Sequence, residues 1–292
     1  MREIARFIML GRFHAIGMAA VFGGLSLIFL PLACLSAATA GLVGLRKGWW
    51  DSLVVVLVTS GTTLVAASMI TSKPGMTFPL VFTLLIPVFV CAQVLRATES
   101  QGSVLVLVGI FAAMFVAGMH VLFGDVVTWW QDWLSEAIKG VKGATLEGFE
   151  REGTLRLMNG LVALMFGVLC MVSVLISRWW QSLLYHPGGF AQEFRSLRLP
   201  IVLLPVTIIV LLLASSISQI FLADLFMVAV MIYFFQGLAV MHGVLAKHSA
   251  SGWWIAPIYL GLMLMPQYLL TGLALVGAAD TIVRFRVISP KK

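Results

Sequence analysis

Asp224 is the residue whose type and placement most invite chemistry. An ionisable side chain inside an apolar run is expensive to keep, so it marks a place where charge is bound or relayed. A carboxylate at this position could pair with a cation, take a substrate amine or pass protons. It stands near the start of the apolar run 222–245, close enough to a membrane boundary that solvation by water is the alternative. His242 returns to the same helical face after about five turns, with Val228, Met231, Phe235 and Leu238 between, but about 27 Å further along the axis. The two therefore share a face and not a site. Gln236 falls about 120° round the helix, where an amide bonds a neighbouring helix or a ligand. His120 and Asp125 lie close together after another apolar run and could act as a base and its orienting acid. Asp224, Gln236, His242 and His120 are the candidate ligand-binding residues.

None of these residues falls into a recognisable catalytic pattern. HExxH, GxSxG, a Walker loop and a strand-preceded GxGxxG are all absent, so no enzyme class gains support and the chain is read as non-enzymatic. Cys34, Cys91 and Cys170 sit inside apolar runs without a CxxC or Cys/His pairing, which makes them small hydrophobes in preference to ligands. No metal and no cofactor is expected.

The elements that must position these side chains follow from composition. Of 292 residues, 61% are hydrophobic and only 11% charged, and the mean hydropathy is +1.04. That is too little polar surface to coat a soluble globule, so lipid is the expected solvent. The charge of +7 comes in short clusters between apolar runs, not in one stripe, which argues against nucleic acid and for membrane topology. Apolar runs at 13–30, 32–45, 53–70, 78–95, 104–121, 157–176, 201–217, 222–245 and 255–283 predict an all-α polytopic bundle of about 8 to 10 membrane segments. Uninterrupted Leu/Val/Ala/Met runs lack the alternation of barrel strands. Pro31 separates the first two runs, and Pro266 divides the last into a returning pair or one long tilted span. The first apolar run, with small residues at 36–40, is expected to be retained and not cleaved as a signal.

Arg2, Arg6, Arg12, Arg46, Lys47, Arg96, Arg178, Arg195, Arg198 and Lys247 alternate onto one side of this map, which places the N-terminus in the cytoplasm of a bacterium with the chain in its inner membrane. A short turn at Lys73 falls on the other side. All nine tryptophans fall at predicted interfaces. The chain is read as a single membrane domain, 1–292, with two distinctive loops. The non-cytoplasmic loop 124–157 carries Val126, Trp130, Trp133, Leu134, Ala137, Ile138 and Val141 at helical spacing, predicting an amphipathic helix on the membrane surface or across the mouth of the bundle. The cytoplasmic elbow 178–200 turns at Pro187-Gly188-Gly189 and then presents Phe190, Phe194 and Leu197 on a short helix. Phe190, Phe194, Trp130 and Trp133 are the candidate partner-docking residues. Ala15/Ala19 and Ala33/Ala37/Gly41 would let early helices pack backbone to backbone.

The segments His186 to Pro200 (HPGGFAQEFRSLRLP), Gln236 to His242 (QGLAVMH) and Ala279 to Arg286 (ADTIVRFR) resemble the YybS-like family of bacterial membrane proteins. Such proteins are grouped by distant similarity with the S components of energy-coupling-factor vitamin transporters. The resemblance implies a small molecule bound within the helices, although no residue carries over as a vitamin site. The expected function is a transporter-like bundle that binds or moves a small molecule. The alternative is a scaffold or accessory subunit of another membrane complex, or a homo-oligomer.

Overall fold

A computed structural model describes residues 1–70, 80–139, 146–151, 153–248 and 251–286. The expectations at Lys73 and Val141 lie outside them. Among the described residues the chain is helical, with no strand. In order the helices are α1 (Arg2–Met9), α2 (Arg12–Leu25), α3 (Leu32–Lys47), α4 (Trp49–Ile70), α5 (Leu80–Thr98), α6 (Gln101–Phe123), α7 (Val126–Ala137), α8 (Leu146–Arg151), α9 (Thr154–Tyr185), α10 (Gly189–Ser196), α11 (Leu203–Ile217), α12 (Gln219–Lys247), α13 (Ala256–Leu264) and α14 (Pro266–Val283). Four of them, α4, α6, α9 and α12, are long and apolar enough to cross a membrane.

The chain divides into two compact units, the division falling within α6, α9 and α10. Unit 1 comprises 1–108 and 168–193. Its small-residue positions are contact surfaces: Ala15, Ala19, Ala33 and Ala37 are all fully buried. There the Ser36 hydroxyl donates to the Ala19 carbonyl at 2.8 Å, Ser52 to Ala40 at 2.8 Å and Ser177 to Ala38 at 3.0 Å. Small side chains bring helix backbones close enough for such short hydroxyls to reach across. Cys34, Cys91 and Cys170 are buried and unpaired. Trp180 is fully buried, in the part of α9 that runs on past Arg178 to Tyr185.

Unit 2 comprises 109–167 and 194–292, and α12 is its centre. Every residue from Val228 to Val240 is buried. By contrast α11 turns Ile208, Ile209, Leu212 and Leu213 outward. Large apolar side chains in such a row suit a hydrocarbon solvent and not water. The final apolar run is two helices. Pro266 has no N–H to continue a helix and drives the preceding residue extended, and Met265 accordingly sits at φ −139°, ψ 61°. The chain folds back there, so that Leu269 lies against Gly261.

α14 then packs along α12 with backbone on backbone. A Cβ added at Gly237 would overlap the Leu273 carbonyl, and one at Gly277 would overlap the Tyr233 carbonyl. Two glycines facing each other across the contact are what allow this approach.

Candidate functional site

Asp224 lies in the second turn of α12, fully buried and not solvated at a boundary. Its burial follows from α9 packing close over it: a Cβ at Gly160 would lie 3.0 Å from both the Asp224 Cα and its Oδ1. The carboxylate faces inward, into unit 2. Its Oδ2 is 2.8 Å from His120 Nε2 at the end of α6. It also accepts from Asn159 Nδ2 at 2.7 Å. Oδ1 has no hydrogen-bond partner among the described residues.

The orientation of Asn159 is fixed by its other neighbour. Trp130 Nε1 donates to Asn159 Oδ1 at 3.3 Å, and because an indole N–H can only donate, the amide NH₂ must face the carboxylate. Trp130 is held in turn by the tryptophans of α7, edge-on to Trp129 and Trp133. It packs with Val126 on Met119 of α6, with Met158 and Val162 of α9 alongside. The apolar face of α7 is thus spent on its own unit, and Trp130 is buried where an exposed docking residue was expected. Trp133 is half-buried.

His120 joins this network in place of the expected pairing with Asp125. Asp125 caps α7, accepting from the backbone N–H groups of Val127 and Thr128 at 3.1 Å and from the Thr128 hydroxyl at 2.7 Å. Those donors, the hydroxyl first, hold its carboxyl below the usual value. The His120 ring lies edge-on to Phe221, one turn before Asp224 in α12, and its side chain keeps 17% exposure against 1% for Asp224. The pair can exist as imidazolium and carboxylate, or as neutral imidazole sharing one proton with the acid. His120 is the more exposed member of the pair. A buried carboxylate with one oxygen committed and one uncommitted can take up a proton or a cationic group.

Gln236 serves a second, separate cluster. Its Oε1 accepts from the Leu199 N–H at 3.1 Å, and its Nε2 donates to Asp280 Oδ2 and Thr281 Oγ1, both at 3.2 Å. Asp280 is fully buried in α14. It also receives Arg286 Nη2 at 2.6 Å and the Phe285 N–H at 3.0 Å. Arg286 Nη1 donates to the carbonyls of Arg195 and Leu197, each at 2.7 Å. The Gln236 carbonyl and both Asp280 oxygens are occupied, so this cluster ties residues 195–199 to α12 and α14; within it Arg286 Nε has no partner among the described residues. His242 is apart from both clusters, with Nδ1 2.8 Å from the Leu238 carbonyl and Nε2 3.4 Å from the Tyr259 hydroxyl.

In the elbow, the expected turn sits at Gly188 with φ +87°, a value that favours glycine. Phe194 is buried against His242 instead of being presented to a partner. Phe190 is half-buried beside Val172, Leu175, Ile176 and Trp179. Among the described residues no group of three His, Cys, Asp or Glu side chains could hold a metal ion.

Sequence reasoning passed over Asn159, Asp280 and Arg286. Asn159 is the only asparagine in the chain and stands near the start of the apolar run 157–176, which was a usable signal. Asp280 obeys the same rule that singled out Asp224. The chain matches no family model, no curated protein and no solved structure.

Proposed function

We propose that this chain is a multi-pass protein of a bacterial inner membrane, with its N-terminus in the cytoplasm, that binds and moves a small solute without transforming it chemically. On this reading Asp224 accepts a proton or the cationic group of the solute, and His120 passes a proton in or out. The observation that carries the reading is the Asp224 carboxylate, wholly buried with Oδ2 shared between His120 and Asn159 and Oδ1 without a partner among the described residues. Leaving a buried acceptor unmade costs about 1–3 kcal/mol and more for a charged group, an expense expected at a working site. A solute held among helices is also what the YybS-like resemblance implies. The scaffold alternative draws less support, since Trp130 and Phe194 are buried within unit 2.

The test is purification in mild detergent, denaturation, and mass spectrometry of the released small molecules. A cationic solute retained at about one per chain by the wild type, and absent from an assembled Asp224→Asn variant, supports the assignment. Equal retention by the two proteins refutes it.

A further inference from the structure

We propose that the cavity between α1 and the C-terminal end of α9, within unit 1, is a binding site for an anionic phospholipid. The cavity, about 300 Å³, is lined by Arg2, Arg6, Met9, Leu10, Leu184 and Tyr185. Two guanidiniums one helical turn apart therefore face it together with an apolar wall, and no carboxylate is among the lining side chains. Outside the lining, Arg46 lies 4.2 Å above the centre of the Tyr185 ring. Glu3 approaches Arg6 only to 3.9 Å, with the two side chains 79% and 73% exposed. Such a solvent-screened contact is worth little and yields to a better anion.

A phosphodiester is the group that fits the cationic part, since a guanidinium fork binds phosphate oxygens through paired charge-assisted hydrogen bonds. Met9, Leu10 and Leu184 would then lie along the first carbons of an acyl chain. A free phosphate would use the cations and leave that wall without a partner. The placement of α1 agrees with such a ligand: Ala5 and Ile8 are buried while Phe7, and Leu10 just after the helix, are exposed like the arginines. That is the pattern of a helix at headgroup level, with apolar side chains entering the acyl region and cations remaining in the polar layer. Basic pockets between membrane helices are the usual seat of anionic lipid headgroups.

The larger cavity of unit 1, about 370 Å³, contrasts with it. Arg96 and Arg178 line that cavity, but so do Glu99 and Glu193, and Arg178 is already held by Glu193 and Gln181. It presents no net charge to select an anion.

The lipid site rests on the membrane reading above but not on Asp224. Native mass spectrometry of the full chain in mild detergent, titrated with phosphatidylglycerol, phosphatidylethanolamine or inorganic phosphate, tests it. Phosphatidylglycerol is expected to form a one-to-one adduct that phosphatidylethanolamine does not form and millimolar phosphate does not displace. Arg2→Gln with Arg6→Gln should weaken that adduct about thirtyfold; both side chains are exposed, so an unchanged circular dichroism spectrum and melting point are expected alongside. Leu184→Trp, which narrows the apolar wall with all charges kept, should weaken it as well, and Asp224→Asn should bind lipid like the wild type. Equal binding of phosphatidylethanolamine, or unchanged affinity in the arginine variant or in Leu184→Trp, overturns the proposal in favour of a nonspecific lipid belt. Displacement by phosphate overturns it in favour of a soluble anion.

Discussion

Replacing Arg286 by Met should release residues 195–199 from α12 and α14, and the structure allows the size of the effect to be worked out. Arg286 is 9% exposed and its partner Asp280 not at all. Removing one member of a buried pair strands the other charge without water, which costs about 3–5 kcal/mol. Of the two carbonyls that lose their donor, that of the exposed Arg195 can be rehydrated while that of the buried Leu197 adds to the loss, and the stranded Asp280 carboxylate sets the larger part of the magnitude. Such a loss raises the population of the locally opened segment roughly a hundred- to several-thousand-fold. The readout is trypsin cleavage after Arg195 and Arg198, both exposed, followed by fragment mass in mild detergent at low protease. Where reclosing is fast, the cleavage rate tracks the open population. Adding Asp280→Asn to Arg286→Met removes the stranded charge and should recover about 1–3 kcal/mol. Cleavage of Arg286→Met at a rate within threefold of the wild type would refute the reasoning, because the pair would then hold nothing in place.

Gly237→Ala or Gly277→Ala should lower the free energy of unfolding in detergent by about 1–3 kcal/mol or more, since the new Cβ meets backbone that cannot swing aside. Gly272→Ala, with nothing within 4 Å of the added atom, should be neutral or slightly stabilising through helix propensity; equal loss at all three positions contradicts the close-contact account. Asp125 has a lowered folded pKa relative to its ordinary 3.8, so its capping of α7 is fully present above the ordinary value and is lost as pH falls through the folded one. Hydrogen exchange should therefore find α7 less protected in Asp125→Ala at neutral pH, with the difference vanishing in strong acid; a difference that grows on acidification reverses the sign and rejects the cap. Cys34, Cys91 and Cys170 are buried and should resist a maleimide in mild detergent, all three reacting only after denaturation in SDS. Fast labelling of any one in the folded protein would show that its surroundings open.

Helicity was determined by the sequence alone, because it depends on neighbours within a turn or two; the length of α9, which runs past the apolar run 157–176 to Tyr185, was not. A proline inside an apolar run, or a Pro-Gly-Gly segment after one, carries its own instructions, as the break at Pro266 and the turn at Gly188 illustrate. Even the cap of α7 is a local matter, from Asp125 to Thr128. The partner of a polar side chain is decided otherwise. His120 stands beside Asp125 in sequence yet bonds Asp224, 104 residues away, because α6, α9 and α12 pack so that these side chains meet, with Gly160 leaving room for the carboxylate. Trp130 and Gln236 have the same composition and periodicity whether they face a ligand, a partner or their own unit. Their burial became visible only once Asn159 and Asp280 were placed opposite them. The pattern along one helix says which residues share a face, and only the packing of helices decides what that face meets.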